Sequence, residues 1–248
     1  MSNTIREWQA HFAAQYSARN AFVNGSFHER ATHMQYRLAR IAKSYRKKEK
    51  MPARLARATS YFMSCVNYFG SSLDLELGMM EKFPSFGCGY CRHHPCDCPE
   101  DRLDPEGFSL DESQRDWTVS QWQAHLKKMY GHYNMGDFPK VFMRASEEFG
   151  EFGILVAAGP GTPIRPSARI VQCRQEAADC FSWLLTMAYV EGVDLEGEVI
   201  QRYYRKCPGC QKPAPYDCPA VFISGDGNSF STIGTPEYMA QNAAEETA

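Results

Sequence analysis

Residues 144–179 read RASEEFGEFGILVAAGPGTPIRPSARIVQCRQEAAD. Two acidic clusters within that stretch, Glu147-Glu148-Phe149-Gly150-Glu151 and Glu176-Ala177-Ala178-Asp179, decide how the rest is read. On a helix, residues three or four apart share a face, so Glu148 stacks with Glu151, and Glu176 with Asp179. Between them Gly159-Pro160-Gly161-Thr162-Pro163 stops one helix and lets the chain reverse before a second begins at Val171. The reading is an antiparallel helical hairpin, buried by the apolar run Cys180 to Leu185. If its acidic faces meet, four carboxylates converge, and like charges at that range do not all stay ionised without a cation. A hard divalent ion with oxygen ligands, Mg²⁺, is the natural neutraliser. Solvated helix faces are the usual fate of Glu and Asp and stand as the alternative, more so for one pair than for the two together.

The 248 residues suffice for one domain or two with a substantial core. A net charge of -2 argues against a strongly electrostatic nucleic-acid binder, although Arg46-Lys47-Lys48 and residues 202–206 are locally basic. No apolar run reaches the length of a membrane span, and the N-terminus has no signal-peptide core, so a cytoplasmic protein is expected. Ten cysteines in a reducing compartment point to metal rather than disulfides.

The chain repeats itself. Thr4-Ile5-Arg6-Glu7-Trp8-Gln9-Ala10-His11 returns as Thr118-Val119-Ser120-Gln121-Trp122-Gln123-Ala124-His125, with Tyr16 echoed by Tyr130 and Asn20 by Asn134, 114 residues on. Both segments open on a capping box, Thr followed three residues later by Glu or Gln, and so start helices. Leu73-Asp74-Leu75-Glu76 and Asp97-Cys98-Pro99 recur 120 residues later as Val193-Asp194-Leu195-Glu196 and Asp217-Cys218-Pro219. The expected organisation is an all-α fold of two fused copies, residues 1–107 and 118–219, with a polar linker over 108–117 and a loosely ordered tail over 220–248. Within that tail Ala220 to Ser224 is a candidate short strand. The copies are unequal: where the second has Glu176 and Asp179 the first has Ala56 and Thr59, and the segment Arg37 to Ser44, matched to the first acidic helix, carries no acid. The first copy therefore reads as a non-catalytic partner kept for packing.

Cys88-Gly89-Tyr90-Cys91, followed by Cys96 and Cys98, places four thiols within a dozen residues, a tetrahedral zinc signal. His93 and His94 lie in the loop and can replace one sulfur. Cys207-Pro208-Gly209-Cys210 with Cys218 supplies three ligands of a second site, whose fourth is Asp217, His125 or a group from the other copy. An Fe–S cluster takes the same ligands, but nothing else in the chain suggests electron transfer. Each knuckle follows the last helix of its copy, so the expected role of Zn²⁺ is structural. Cys65, Cys173 and Cys180 fall in helical stretches and read as small core residues.

The pattern EExxE, a spacer, ExxD, an apolar helix and Glu191-Gly192-Val193-Asp194-Leu195-Glu196 resembles the MazG-like family of all-α nucleoside triphosphate pyrophosphohydrolases, over about residues 119–206. The resemblance implies Mg²⁺-dependent hydrolysis of a nucleoside triphosphate to the monophosphate and pyrophosphate. Carried over by position, Glu148, Glu151, Glu176 and Asp179 hold the Mg²⁺, and Glu147 orients the attacking water. It further implies an intramolecular pseudo-dimer with a single active site, with further homodimerisation as an option. Phosphate charge calls for nearby cations, for which Lys140, Arg144, Arg202, Arg205 and Lys206 are the candidates. A base can stack among Trp122, Tyr130, His132 and Tyr133, with Trp183 closing the pocket. The competing reading is a zinc-stapled interaction or nucleic-acid-binding module whose acidic hairpin has no catalytic role.

Overall fold

The computed structural model describes residues 3–22, 27–99, 110–157, 166–204, 207–208, 221–222 and 230–231. The described chain is built almost wholly of helices: α1 (Ile5–Phe22), α2 (Phe27–Lys47), α3 (Met51–Val66), α4 (Leu75–Lys82), α5 (Val119–Asn134), α6 (Phe138–Ala157), α7 (Pro166–Val190) and α8 (Leu195–Val199). A π-helical turn, Ile200–Tyr204, continues α8. The segment expected to be a short strand contributes β1 (Val221–Phe222), which pairs antiparallel with β2 (Phe230–Ser231). Among the described residues no helix is long and apolar enough to cross a membrane.

Helices α2 and α3 form one hairpin and α6 and α7 another, and the two pack together through α2 on α6 and α3 on α7. At the centre Phe62 stacks on Phe181 at 6.0 Å and meets Phe149 edge-on at 5.7 Å. Each of these buried rings contributes about 1.5–3 kcal/mol of transfer free energy. Helix α1 lies on α3 and α5 on α7, while the short helices exchange: α4 packs on α7, and α8 on α3.

The same local devices recur at corresponding places. Thr4 and Thr118 each cap their helix through their hydroxyls, at 3.2 Å from the amides of Glu7 and Gln121, and Glu7 and Gln121 reach back to the cap amides, so both expected capping boxes form. The two caps pair with each other in an antiparallel bridge, where the Val119 amide donates to the Asn3 carbonyl at 3.0 Å. The amides of Gln9 and Gln123 clamp the entries of α4 and α8, each donating to the carbonyl of Leu73 or Val193 and accepting from the amide of Leu75 or Leu195. Asp74 and Asp194 then cap those helices by accepting from Leu77 and Gly197 amides.

One sequence expectation changes. Helix α7 begins at Pro166 rather than Val171, since proline is tolerated in a first turn, where the missing N–H has no intrahelical role. The described part of the linker is docked: Gln114 is fully buried and donates to the Phe83 carbonyl at 2.8 Å, and Asp111 accepts from the Ser85 amide at 2.8 Å. The reversal at 159–163 and most of the tail lie outside the described residues.

Candidate metal centres

Glu148 and Glu151, one turn apart on α6, face Glu176 of α7, and one carboxylate oxygen from each lies within 4.8 Å of the others. The facing is set by packing: Phe149 and Phe152 turn into the core, which leaves the residue before each, Glu148 and Glu151, on the edge toward α7. Arg169 ties the two helices together near the end where α6 gives way to α7, by donating to the Leu155 and Val156 carbonyls, both at 3.0 Å.

Asp179, one turn beyond Glu176, stands beside these three and is ion-paired with Lys82 of α4. Lys82 and Asp179 are 13% and 16% exposed, so the pair is largely removed from water. Arg174 and Glu81 form a second α7–α4 bridge, bidentate at 2.7 and 3.1 Å. Gly78 allows the approach, because a Cβ there would lie 2.8 Å from the Arg174 carbonyl oxygen.

Crowding of negative charge shows in the protonation of the cluster. Burial, then the charges of Asp179 and Glu151, push Glu148 up to about 7 against the opposing pull of Lys82 and a hydrogen bond from Trp183. Burial also pushes Asp179 up to about 6, with Glu176 and Glu151 adding to the rise and Lys82 resisting it. Carboxylates pushed toward their neutral form by burial and by one another's charge are the donor set a hard divalent cation fits. Glu148, Glu151 and Glu176, with Asp179 at hand, could therefore hold a hard divalent cation.

Several expected site residues are elsewhere. Glu147 points outward and accepts from Arg144 at 3.0 Å, with both side chains about half exposed, so neither joins the cluster; on a helix the residue next to an inward one turns away by 100°. Trp122 is fully buried against Trp117 and has no face for a base. Lys140 is exposed in the first turn of α6, about 12 Å along the axis from Glu148. Arg202 lies against Tyr203 and Arg57 of α3, because α8 has crossed to the first half. Arg205, Lys206, Cys210, Asp217 and Cys218 lie outside the described residues. Tyr130 donates to the Cys88 thiol at 3.8 Å, and Tyr133 is exposed beside His132. The cation that does reach the carboxylates, Lys82, had no signal in its own stretch of sequence. Its one pointer was the spacing that matches it to Arg202, itself a candidate.

The second centre is the knuckle after α4. Cys88, Cys91, Cys96 and Cys98 bring four sulfurs within 4.8 Å of one another, with Cys88–Cys98 at 3.7 Å and Cys91–Cys96 at 4.0 Å. A tetrahedral ion with Zn–S of about 2.3 Å requires sulfur–sulfur edges of about 3.8 Å. These four cysteines can therefore hold a metal such as zinc. Gly87 has φ +141°, and a Cβ there would stand 2.3 Å from the Arg92 carbonyl oxygen, so the turn needs glycine. Burial opposes ionisation of Cys88, but amide hydrogen bonds from Cys91 and Tyr90 prevail and lower its thiol to about 7. His93 pairs with Asp97 at 2.7 Å in the open, within 4.8 Å of the Cys91 sulfur, and His94 packs on His125, so the four-sulfur set is complete without a histidine while His93 stays within reach of it. The knuckle docks on the other half, with the Cys96 amide donating to the Met129 carbonyl at 3.0 Å. Cys207, the described member of the later cluster, is buried beside Tyr16 at 4.0 Å, the counterpart of Tyr130 beside Cys88. Cys65, Cys173 and Cys180 are buried in the core.

Compared with protein-family models, curated proteins and solved structures, the chain matches none.

Proposed function

We propose that the chain is a Mg²⁺-dependent hydrolase that splits a nucleoside triphosphate into the monophosphate and pyrophosphate, in a MazG-like arrangement of two fused halves of which the second carries the chemistry. The observation that carries this reading is the convergence of Glu148, Glu151 and Glu176 across the α6–α7 hairpin. Bound there, the ion would neutralise phosphate charge and acidify a coordinated water. Lys82 holds Asp179 in place beside the three glutamates and sets a positive charge where a phosphate oxygen would arrive. Trp183, hydrogen-bonded to Glu148, fixes that carboxylate's orientation. The first half would be non-catalytic, since Ala56 and Thr59, both fully buried, stand where the second half has Glu176 and Asp179. Zinc at Cys88, Cys91, Cys96 and Cys98 would act as a structural clip between the halves.

The test is a panel of ribo- and deoxyribonucleoside triphosphates incubated with Mg²⁺, with monophosphate and pyrophosphate resolved from diphosphate and phosphate. The expected products are monophosphate and pyrophosphate from at least one substrate, with turnover lost in Glu151→Gln while the far-ultraviolet helical signal stays. Release of diphosphate and phosphate, or full activity in Glu151→Gln, refutes the proposal.

A further inference from the structure

The turn that joins α2 to α3 concentrates positive charge. Residues 43–50 read KSYRKKEK, five cations and one acid, in a chain whose net charge is -2. Lys43, Arg46, Lys47, Lys48 and Lys50 are all exposed. Among the described residues no ion pair joins any of the five to an acid. The low overall charge describes the surface as a whole and hides this patch.

Local physics asks for other residues here. Helix α2 ends in a Schellman turn, with the Glu49 amide donating to the Ser44 carbonyl at 3.1 Å and the Lys48 amide to that of Tyr45 at 3.2 Å. The left-handed residue of such a turn is usually glycine, yet it is Lys48, at φ +53°. Lys50 is left-handed too, at φ +57°, and occupies the N-cap of α3, where Ser, Thr, Asp or Asn is preferred; its side chain makes no cap hydrogen bond. A side chain with a Cβ is strained in that conformation. The first turn of α3 holds no acid, so Lys50 adds positive charge to the positive end of a helix dipole. Lys43 and Lys47, one turn apart on α2, repel each other. Each of these choices costs stability and each gains a cation, as expected of a surface kept for a partner rather than for the fold.

The partner has to be a polyanion, because cations spread over both arms of a turn are matched together only by a charge that repeats. Residues 43–50 include no exposed large apolar side chain to enter a bilayer. Tyr45 is stacked on Phe138 at 4.3 Å and covered by Nζ of Lys48 at 3.9 Å, so its ring is not free for a base. We propose that Lys43, Arg46, Lys47, Lys48 and Lys50 form a docking surface for the phosphodiester backbone of nucleic acid, engaged without regard to sequence. Contacts of that kind come from Lys, Arg and helix N-termini. The inference goes beyond the proposed hydrolysis and stands without it.

Fluorescence anisotropy of the full chain with labelled DNA duplexes of two unrelated sequences, titrated between about 50 and 200 mM salt without added Mg²⁺, tests it. Five phosphate contacts predict a slope of log K against log salt of about -4.5, the same for both sequences, and a Kd of about 10⁻⁶–10⁻⁴ M at physiological salt. Arg46→Gln with Lys47→Gln, both exposed, should reduce the slope to about -2.7. Lys50→Gly separates binding from folding: it should weaken the complex about tenfold at 50 mM salt. Relief of the left-handed strain in the same variant should raise Tm by about 2–4 °C. A slope shallower than about -2, binding unchanged in the double variant or in Lys50→Gly, or strong preference for one sequence overturns the proposal. So does capture by anionic phospholipid vesicles or polyglutamate as tight as by the duplex.

Discussion

Replacing Glu148 by Gln removes one carboxylate from the cluster while keeping its size and its neighbours. An unfolded glutamate titrates near about 4.3. In the fold, burial and the charges of Asp179 and Glu151 push Glu148 up to about 7. The folded state thus holds this proton more tightly than the unfolded chain does. Its stabilising contribution is complete below about pH 4 and is lost as pH rises through 7. At full burial the displacement corresponds to about 4 kcal/mol, and partial solvent screening trims it to about 2 kcal/mol. In EDTA at pH 8, Glu148→Gln should therefore be more stable than the wild type by about 2 kcal/mol, a Tm difference of about 4–8 °C, and the two should coincide near pH 4. Mg²⁺ at pH 8 should raise the wild type and close the gap, because the ion supplies the charge that the proton supplied in acid. Urea unfolding at both pH values, with and without Mg²⁺, measures all four quantities. A variant less stable than wild type at pH 8 in EDTA, or a gap that ignores pH and Mg²⁺, refutes the reasoning.

Three further outcomes are expected. Gly78→Ala forces α4 off α7, because its Cβ would meet the Arg174 carbonyl oxygen at 2.8 Å, and should cost about 1–3 kcal/mol in urea unfolding while loosening the Lys82–Asp179 pair. Cys91→Ser should lower the zinc content of the purified chain by one equivalent, measured by elemental analysis, since it breaks the four-sulfur set. Burial and the neighbouring His94 hold His125 down at about 4, below its unfolded value of about 6.5, so its contribution is complete above pH 6.5 and falls by about 3 kcal/mol toward pH 4; His125→Phe should remove that acid-side loss.

The local devices were readable because they are written in contiguous residues. Thr4 with Glu7 and Thr118 with Gln121 close the capping boxes that their spacing announces, and the 3.6-residue period places Glu148 and Glu151 on one face. The close set Cys88, Cys91, Cys96 and Cys98 was equally legible, since ligands separated by two to four residues constrain their own geometry. What escaped depends on the exchange of short helices between the halves. Lys82 reaches Asp179 because α4 crosses to α7, a packing choice with no local pattern, and for the same reason Arg202 goes to the first half and not to the glutamates. Trp122 misled because an aromatic beside polar residues looks the same in sequence whether it lines a pocket or fills a core; its match with Trp8, also fully buried, was the available clue.

The central claim is that Glu148, Glu151 and Glu176 share one divalent ion. Crystals of the full chain grown with Mn²⁺ and recorded at the manganese absorption edge test it directly. The account predicts an anomalous peak bonded to carboxylate oxygens of all three residues, absent in Glu151→Gln. Manganese bound only elsewhere, or the three carboxylates turned apart with no ion between them, would contradict it.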